Sequence, residues 1–102
     1  MKKLENSVKK TFIKLVKNNS ESLASQFGVR RLGLFGSCAR GQEIEDSDVD
    51  VLVEFDVKTF DNYMELKFFL ESEFGRSVDL VIYEALKAEL RDEILSEVTY
   101  AA

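Results

Sequence analysis

The 102-residue chain contains no histidine, no proline and a single cysteine, Cys38. Without histidine, acid–base catalysis through imidazole is excluded, and so is a zinc site of mixed Cys/His ligation. One cysteine cannot close an internal disulfide. No apolar run approaches the roughly 18 residues that a membrane-spanning helix needs. The start, Met1-Lys2-Lys3-Leu4-Glu5, does not read as a secretory leader, so the cytoplasm is the expected setting and no membrane partner is expected. Repeats, low-complexity tracts and linkers are missing as well. With 45% hydrophobic residues, the chain suits one small domain over residues 1–102 with a modest core.

The net charge of −5 is unevenly spread. Residues 1–31 hold eight Lys/Arg against Glu5 and Glu21, which leaves the remainder strongly acidic. The basic part carries Leu4, Val8, Phe12, Leu15 and Val16 at helical spacing with lysines opposite, the pattern of an amphipathic helix. Asn18-Asn19-Ser20 either breaks or bends it before Leu23 and Phe27 resume the apolar face. The lysines either meet an anionic partner or form a solvated face. With so acidic a remainder, direct nucleic-acid binding is a poor fit.

The chain is organised around Leu34-Phe35-Gly36-Ser37-Cys38-Ala39-Arg40-Gly41. An apolar strand, Val29 to Phe35, ends abruptly at Gly36-Ser37 and passes into a stretch suited to a single helical turn. Gly36 permits unusual dihedrals and close approach of a ligand. Ser37 is placed to cap the short helix, whose free N–H groups would suit an anion such as phosphate. An ordinary turn ended by Gly41 is the alternative. Arg40 either steadies a bound phosphate or forms an outward salt bridge to Glu43 or Asp46. Cys38, near the same turn, reads as a bystander.

Asp48-Val49-Asp50-Val51-Leu52-Val53 alternates as a strand does, so Asp48 and Asp50 share one face. Charges about 5 Å apart at an effective dielectric of about 20 repel by about 3 kcal/mol. A hard divalent cation such as Mg²⁺ turns that repulsion into binding; a solvated acidic strand start beside Glu43, Glu45 and Asp46 would also tolerate it. A third acid, Asp79, is the one charge in Ser77-Val78-Asp79-Leu80-Val81-Ile82-Tyr83, an apolar run where a buried carboxylate needs a partner. That partner is either a metal shared with Asp48 and Asp50 or a nearby cation such as Arg76.

In order and spacing, Gly36-Ser37-Cys38-Ala39-Arg40-Gly41, Ser47-Asp48-Val49-Asp50 and Val78-Asp79-Leu80-Val81 resemble the pattern of the minimal nucleotidyltransferases, small members of the DNA polymerase β-like superfamily. The likeness extends to Leu90-Arg91-Asp92-Glu93-Ile94. It implies that Gly36 and Ser37 hold the triphosphate of ATP, and that Asp48, Asp50 and Asp79 bind one or two Mg²⁺ ions and carry catalysis. It also implies a partner, because such proteins are often the antitoxin of a pair with a helical HEPN ribonuclease toxin, onto which some transfer AMP at a tyrosine. A non-catalytic antitoxin that covers its partner is the competing reading, and a nucleotide-sensing regulator is a third.

The other elements follow from pattern. A helix is predicted from Phe60 to Phe74, with Tyr63, Leu66, Leu70 and Phe74 as its apolar stripe and Gly75 as its stop. Tyr63, Phe68 and Phe69 read as core rather than as an adenine platform. A last helix is predicted over Leu86 to Val98, burying Leu86, Leu90, Ile94, Leu95 and Val98. The order predicts an α/β (α+β) fold with helices on one face of a small sheet, and the family resemblance implies that the sheet is mixed. So little chain remains that the acceptor is expected on another macromolecule, met through an exposed strand edge or the tail Thr99-Tyr100-Ala101-Ala102. A homodimer that shares a site stays open.

Overall fold

A computed structural model describes residues 8–41 and 47–100 of the chain. Helix α1 (Val8–Asn18) buries Val8, Phe12, Leu15 and Val16, the stripe that spacing predicted, while Leu4 lies outside the described residues. Asn19 breaks the helix rather than bending it: its side-chain amide donates to the Leu15 carbonyl at 2.8 Å. A short α2 (Ser20–Ser25) follows. Strand β1 (Val29–Phe35) leads into α3 (Gly36–Ala39), and β2 (Val49–Phe55) is joined to β3 (Val78–Ile82) by α4 (Phe60–Phe74). Thr59 caps α4 by accepting from the Asn62 N–H at 3.0 Å, and Gly75 closes it in the left-handed conformation.

With β4 (Thr99–Tyr100) the sheet is mixed, in the order β3-β2-β1-β4. Strands β1 and β2 are antiparallel, with Leu32 beside Val53 and Leu34 beside Val51; β2 and β3 are parallel, as a helical crossover requires. The core-facing residues of β2, namely Val49, Val51 and Val53, are fully buried under α1 and α4. Phe12 of α1 stacks on Phe74 of α4 with ring centroids 6.5 Å apart. Phe27 packs on Phe69 at 5.3 Å, and the Tyr63 hydroxyl donates to the Leu80 carbonyl at 2.8 Å. Tyr63 and Phe69 are therefore structural, as expected, whereas Phe68 is exposed.

The C-terminal third departs from expectation. The predicted helix over Leu86 to Val98 divides into a 3₁₀ turn (Tyr83–Ala85) and α5 (Ala88–Glu97). No residue of α5 is fully buried, and Leu90 is 48% exposed. The physical reason is that α1 and α4 already fill the core side of the sheet. The last segment is left to the opposite side, where β2 presents Asp50, Leu52 and Glu54 and offers one apolar side chain for cover. Leu52 on that side is fully buried. Thr99-Tyr100 is not a free tail but a fourth strand, β4, with Thr99 beside Leu34 and Tyr100 beside Gly33. Gly33 leaves room for that pairing: a Cβ at this position would lie 2.6 Å from Val98 Cγ2 and force the Val98 side chain to shift. Among the described residues, no helix is long and apolar enough to cross a membrane.

Candidate active site

The site forms where β1 ends and β2 and β3 begin. Phe35, in extended conformation, hands the chain to Gly36, whose φ of +75° is open to glycine and strained for other residues. Asp50 lies opposite Phe35 in the ladder, and its carboxylate folds over Gly36, so that a Cβ there would collide with Asp50 Oδ2. Across the parallel pair, Asp50 is in register with Asp79. In-register residues of neighbouring strands share a face and lie about 4.8 Å apart along the hydrogen-bonding direction. Asp48 immediately precedes β2, two residues before Asp50. The fold thus brings the three sequence-predicted aspartates to the same end of two neighbouring strands, β2 and the edge strand β3.

Asp48 and Asp79 are exposed and Asp50 is half-buried. The expectation that Asp79 is a buried acid is corrected here. It points away from Val78 and Leu80, at the start of an edge strand, where solvent reaches it. Burial pushes the Asp50 carboxyl above the usual carboxylate range, helped by the charges of Asp79, Asp48 and Glu97 and opposed by Arg40. The acids share one field, yet among the described residues no three acidic or thiol side chains close around a single point as a ready-made metal cage. Their chemistry fits an open site instead: hard oxygen donors at one mouth suit a cation that completes its shell with water and phosphate.

The turn differs from its sequence reading in one respect. Ser37 does not cap α3; Phe35 holds the cap position and Ser37 sits inside the helical turn. The donors that converge are instead the Gly36 N–H and the Arg40 guanidinium, and both engage Glu97. Its Oε1 accepts from Gly36 N at 3.0 Å and from Arg40 Nη1 at 2.8 Å. The sequence offers Arg40 either a phosphate or an outward pair with Glu43 or Asp46; those two acids lie outside the described residues, and an ion pair forms with Glu97. Periodicity could not reveal a contact spanning 61 residues. One local signal existed: Glu97 is an acid in the last turn of a helix, where the backbone dipole favours a cation. Cys38 is buried, and its Sγ lies 3.7 Å from the Asp48 carbonyl, so the bystander is a core residue that helps to seat the acidic strand.

Comparison with known proteins fits this geometry. Residues 16–101 match the nucleotidyltransferase domain family. The chain is 42% identical over 83 residues to the protein adenylyltransferase MntA of Thermococcus cleftensis, covering 80% of this chain and 84% of that one. A solved structure assigned to the minimal nucleotidyltransferases superposes with a TM-score of 0.70 at 36% identity, covering 85% of this chain and 93% of the other. A crystal structure of the MntA–HpeT toxin–antitoxin pair, in mutant form, superposes with a TM-score of 0.62 at 25% identity and covers 90% of this chain and 69% of that one. The family match, which spans most of the chain, and the 42% identity to MntA show that this chain is a member of the nucleotidyltransferase domain family.

Proposed function

We propose that this nucleotidyltransferase moves AMP from ATP to a hydroxyl of a HEPN-type toxin, most simply a tyrosine, and so acts as the antitoxin of a pair in the cytoplasm. The observation that carries this reading is the convergence of Asp48, Asp50 and Asp79 beside the Gly36 N–H and Arg40, acids and anion donors at one mouth. The 42% identity to a protein adenylyltransferase supports the reaction class, and the toxin–antitoxin complex of like fold supports the partner.

In this reading Gly36 N–H and Arg40 donate to triphosphate oxygens, with Ser37 beside them, while Asp48, Asp50 and Asp79 hold Mg²⁺. When bound, Mg²⁺ would supply Lewis-acid polarisation of the α-phosphate. The acceptor hydroxyl attacks the α-phosphorus in line; its O–P bond forms as the bond to the β-phosphate oxygen breaks. One of the aspartates takes the hydroxyl proton and pyrophosphate leaves. Once released from Glu97, the Gly36 N–H and Arg40 stabilise charge on the departing phosphates.

The test is to incubate the chain with ATP and Mg²⁺ beside a HEPN-type helical toxin and follow intact mass. Addition of AMP units to the partner, lost in Asp48→Asn/Asp50→Asn, is the expected result. A tight complex without transfer, unaffected by those substitutions, would replace this reading with neutralisation by covering alone.

A further inference from the structure

The phosphate donors of the turn are already engaged by the chain itself. One oxygen, Glu97 Oε1, accepts from both Gly36 N and Arg40 Nη1, at 3.0 and 2.8 Å, which is how a non-bridging phosphate oxygen would be held. The single Gly36 N–H cannot serve Glu97 and an incoming phosphate together, and Arg40 would have to divide its N–H groups between the two anions. Glu97 also adds its negative charge to the field on Asp50. Two anions would therefore compete for one seat.

The segment that delivers Glu97 is lightly anchored. No residue of α5 is fully buried, and β4 pairs with β1 through only Thr99 and Tyr100. Its anchors include the Arg31 guanidinium 4.6 Å from the centre of the Tyr100 ring, the fit of Val98 and Tyr100 against Gly33, the Glu97 contact itself, and Arg91, which lies 4.9 Å from the centre of the Tyr83 ring and donates to the Leu86 carbonyl at 3.0 Å. Segments with few buried apolar contacts open at low free-energy cost relative to global unfolding.

We propose that Glu97 is an internal stand-in for a nucleotide phosphate, and that Ala88 to Tyr100 is a strap which closes the phosphate seat and lifts when a nucleoside triphosphate enters. This rests on the reading of the turn as a triphosphate site. The closed strap lowers apparent affinity by the fraction of molecules that are open. The segment thereby couples the site to anything that grips α5, so a partner that holds the strap off the sheet would favour nucleotide binding.

The test measures ATP binding with Mg²⁺ by calorimetry for wild type, Glu97→Ala and Glu97→Gln, with hydrogen exchange of residues 88–100 in each. Glu97→Ala is expected to tighten ATP by about three- to tenfold, the range for a strap closed in most molecules. Glu97→Gln keeps an acceptor for the Gly36 N–H but loses the ion pair, so it should fall between. In wild type, ATP should raise exchange over residues 88–100; in Glu97→Ala, exchange there should be high before any nucleotide is added. If wild type binds ATP and both variants bind it equally or more weakly, or if ATP leaves the segment protected, the strap is wrong while the nucleotide site stands. If neither wild type nor the variants bind ATP, the triphosphate reading itself fails and the strap falls with it.

Discussion

The Asp50 carboxylate occupies the space into which a side chain on Gly36 would grow. The turn and the acidic strand are thus fitted to each other atom by atom, and the glycine serves the protein's own carboxylate as much as any ligand. Two separate motifs in the sequence become one object in the fold.

Gly36→Ala should therefore be damaging on two counts. A positive φ costs an L-residue about 1–2 kcal/mol, and the new Cβ forces the Asp50 carboxylate to move. Urea unfolding should show a loss of at least that size, and binding of ATP with Mg²⁺ should fall steeply even in the folded fraction. Unchanged binding would separate the turn from the site.

Asp50→Asn is expected to raise the melting temperature of the metal-free protein. The folded-state pKa of Asp50 lies above its ordinary value, so its stabilising contribution is full below the unfolded pKa and is lost as pH rises through the folded one. At neutral pH the charged carboxylate thus weakens the fold. At so solvent-accessible a site screening keeps the gain small, about 1–3 °C. Calorimetry should show the advantage of Asn at pH 7 shrinking toward pH 4. With Mg²⁺ added, wild type should gain stability and the variant should gain less.

The exposed edge of the sheet at β3 is closed by side chains of α4. Glu71 accepts from the Val78 N–H at 3.1 Å and the Tyr63 hydroxyl donates to the Leu80 carbonyl at 2.8 Å. Tyr63→Phe removes the second bond alone and should cost about 1 kcal/mol, lowering the melting temperature by about 4–8 °C. If AMP transfer by the folded variant stays at the wild-type rate, Tyr63 is confirmed as structural.

Leu52→Ala should destabilise by about 2–4 kcal/mol, the usual cost of emptying a fully enclosed leucine site. Chemical denaturation gives the number. The loss should come with faster hydrogen exchange over residues 88–100, because Leu52 lies on the side of the sheet to which the C-terminal segment is assigned.

Cys38, at 1% exposure, should react with an aromatic disulfide reagent only as fast as the protein opens. Saturating nucleotide should slow the reaction by stabilising the fold around it. Rapid stoichiometric labelling of the folded protein would contradict its burial.

Much was decided by sequence pattern alone. The strand Val29 to Phe35 and the helix Phe60 to Phe74 were legible because each has one face to bury and a clear stop, Gly36 and Gly75. The alternation of Asp48, Asp50 and their valines announced which side of β2 would carry acid, since a period of two leaves no other choice. Tertiary structure decided the rest. Spacing could not say that Asp50 and Asp79 stand in register, because a parallel pairing is set by the crossover helix and not by local residues. Nor could it say that Thr99-Tyr100 would complete the sheet, or that Glu97 would cross 61 residues to the turn. The apolar stripe of the last helix looked like core because helical spacing measures which residues share a face. Whether that face meets a sheet with room left to cover depends on what the other helices have already buried, and that is known only when the whole chain is folded.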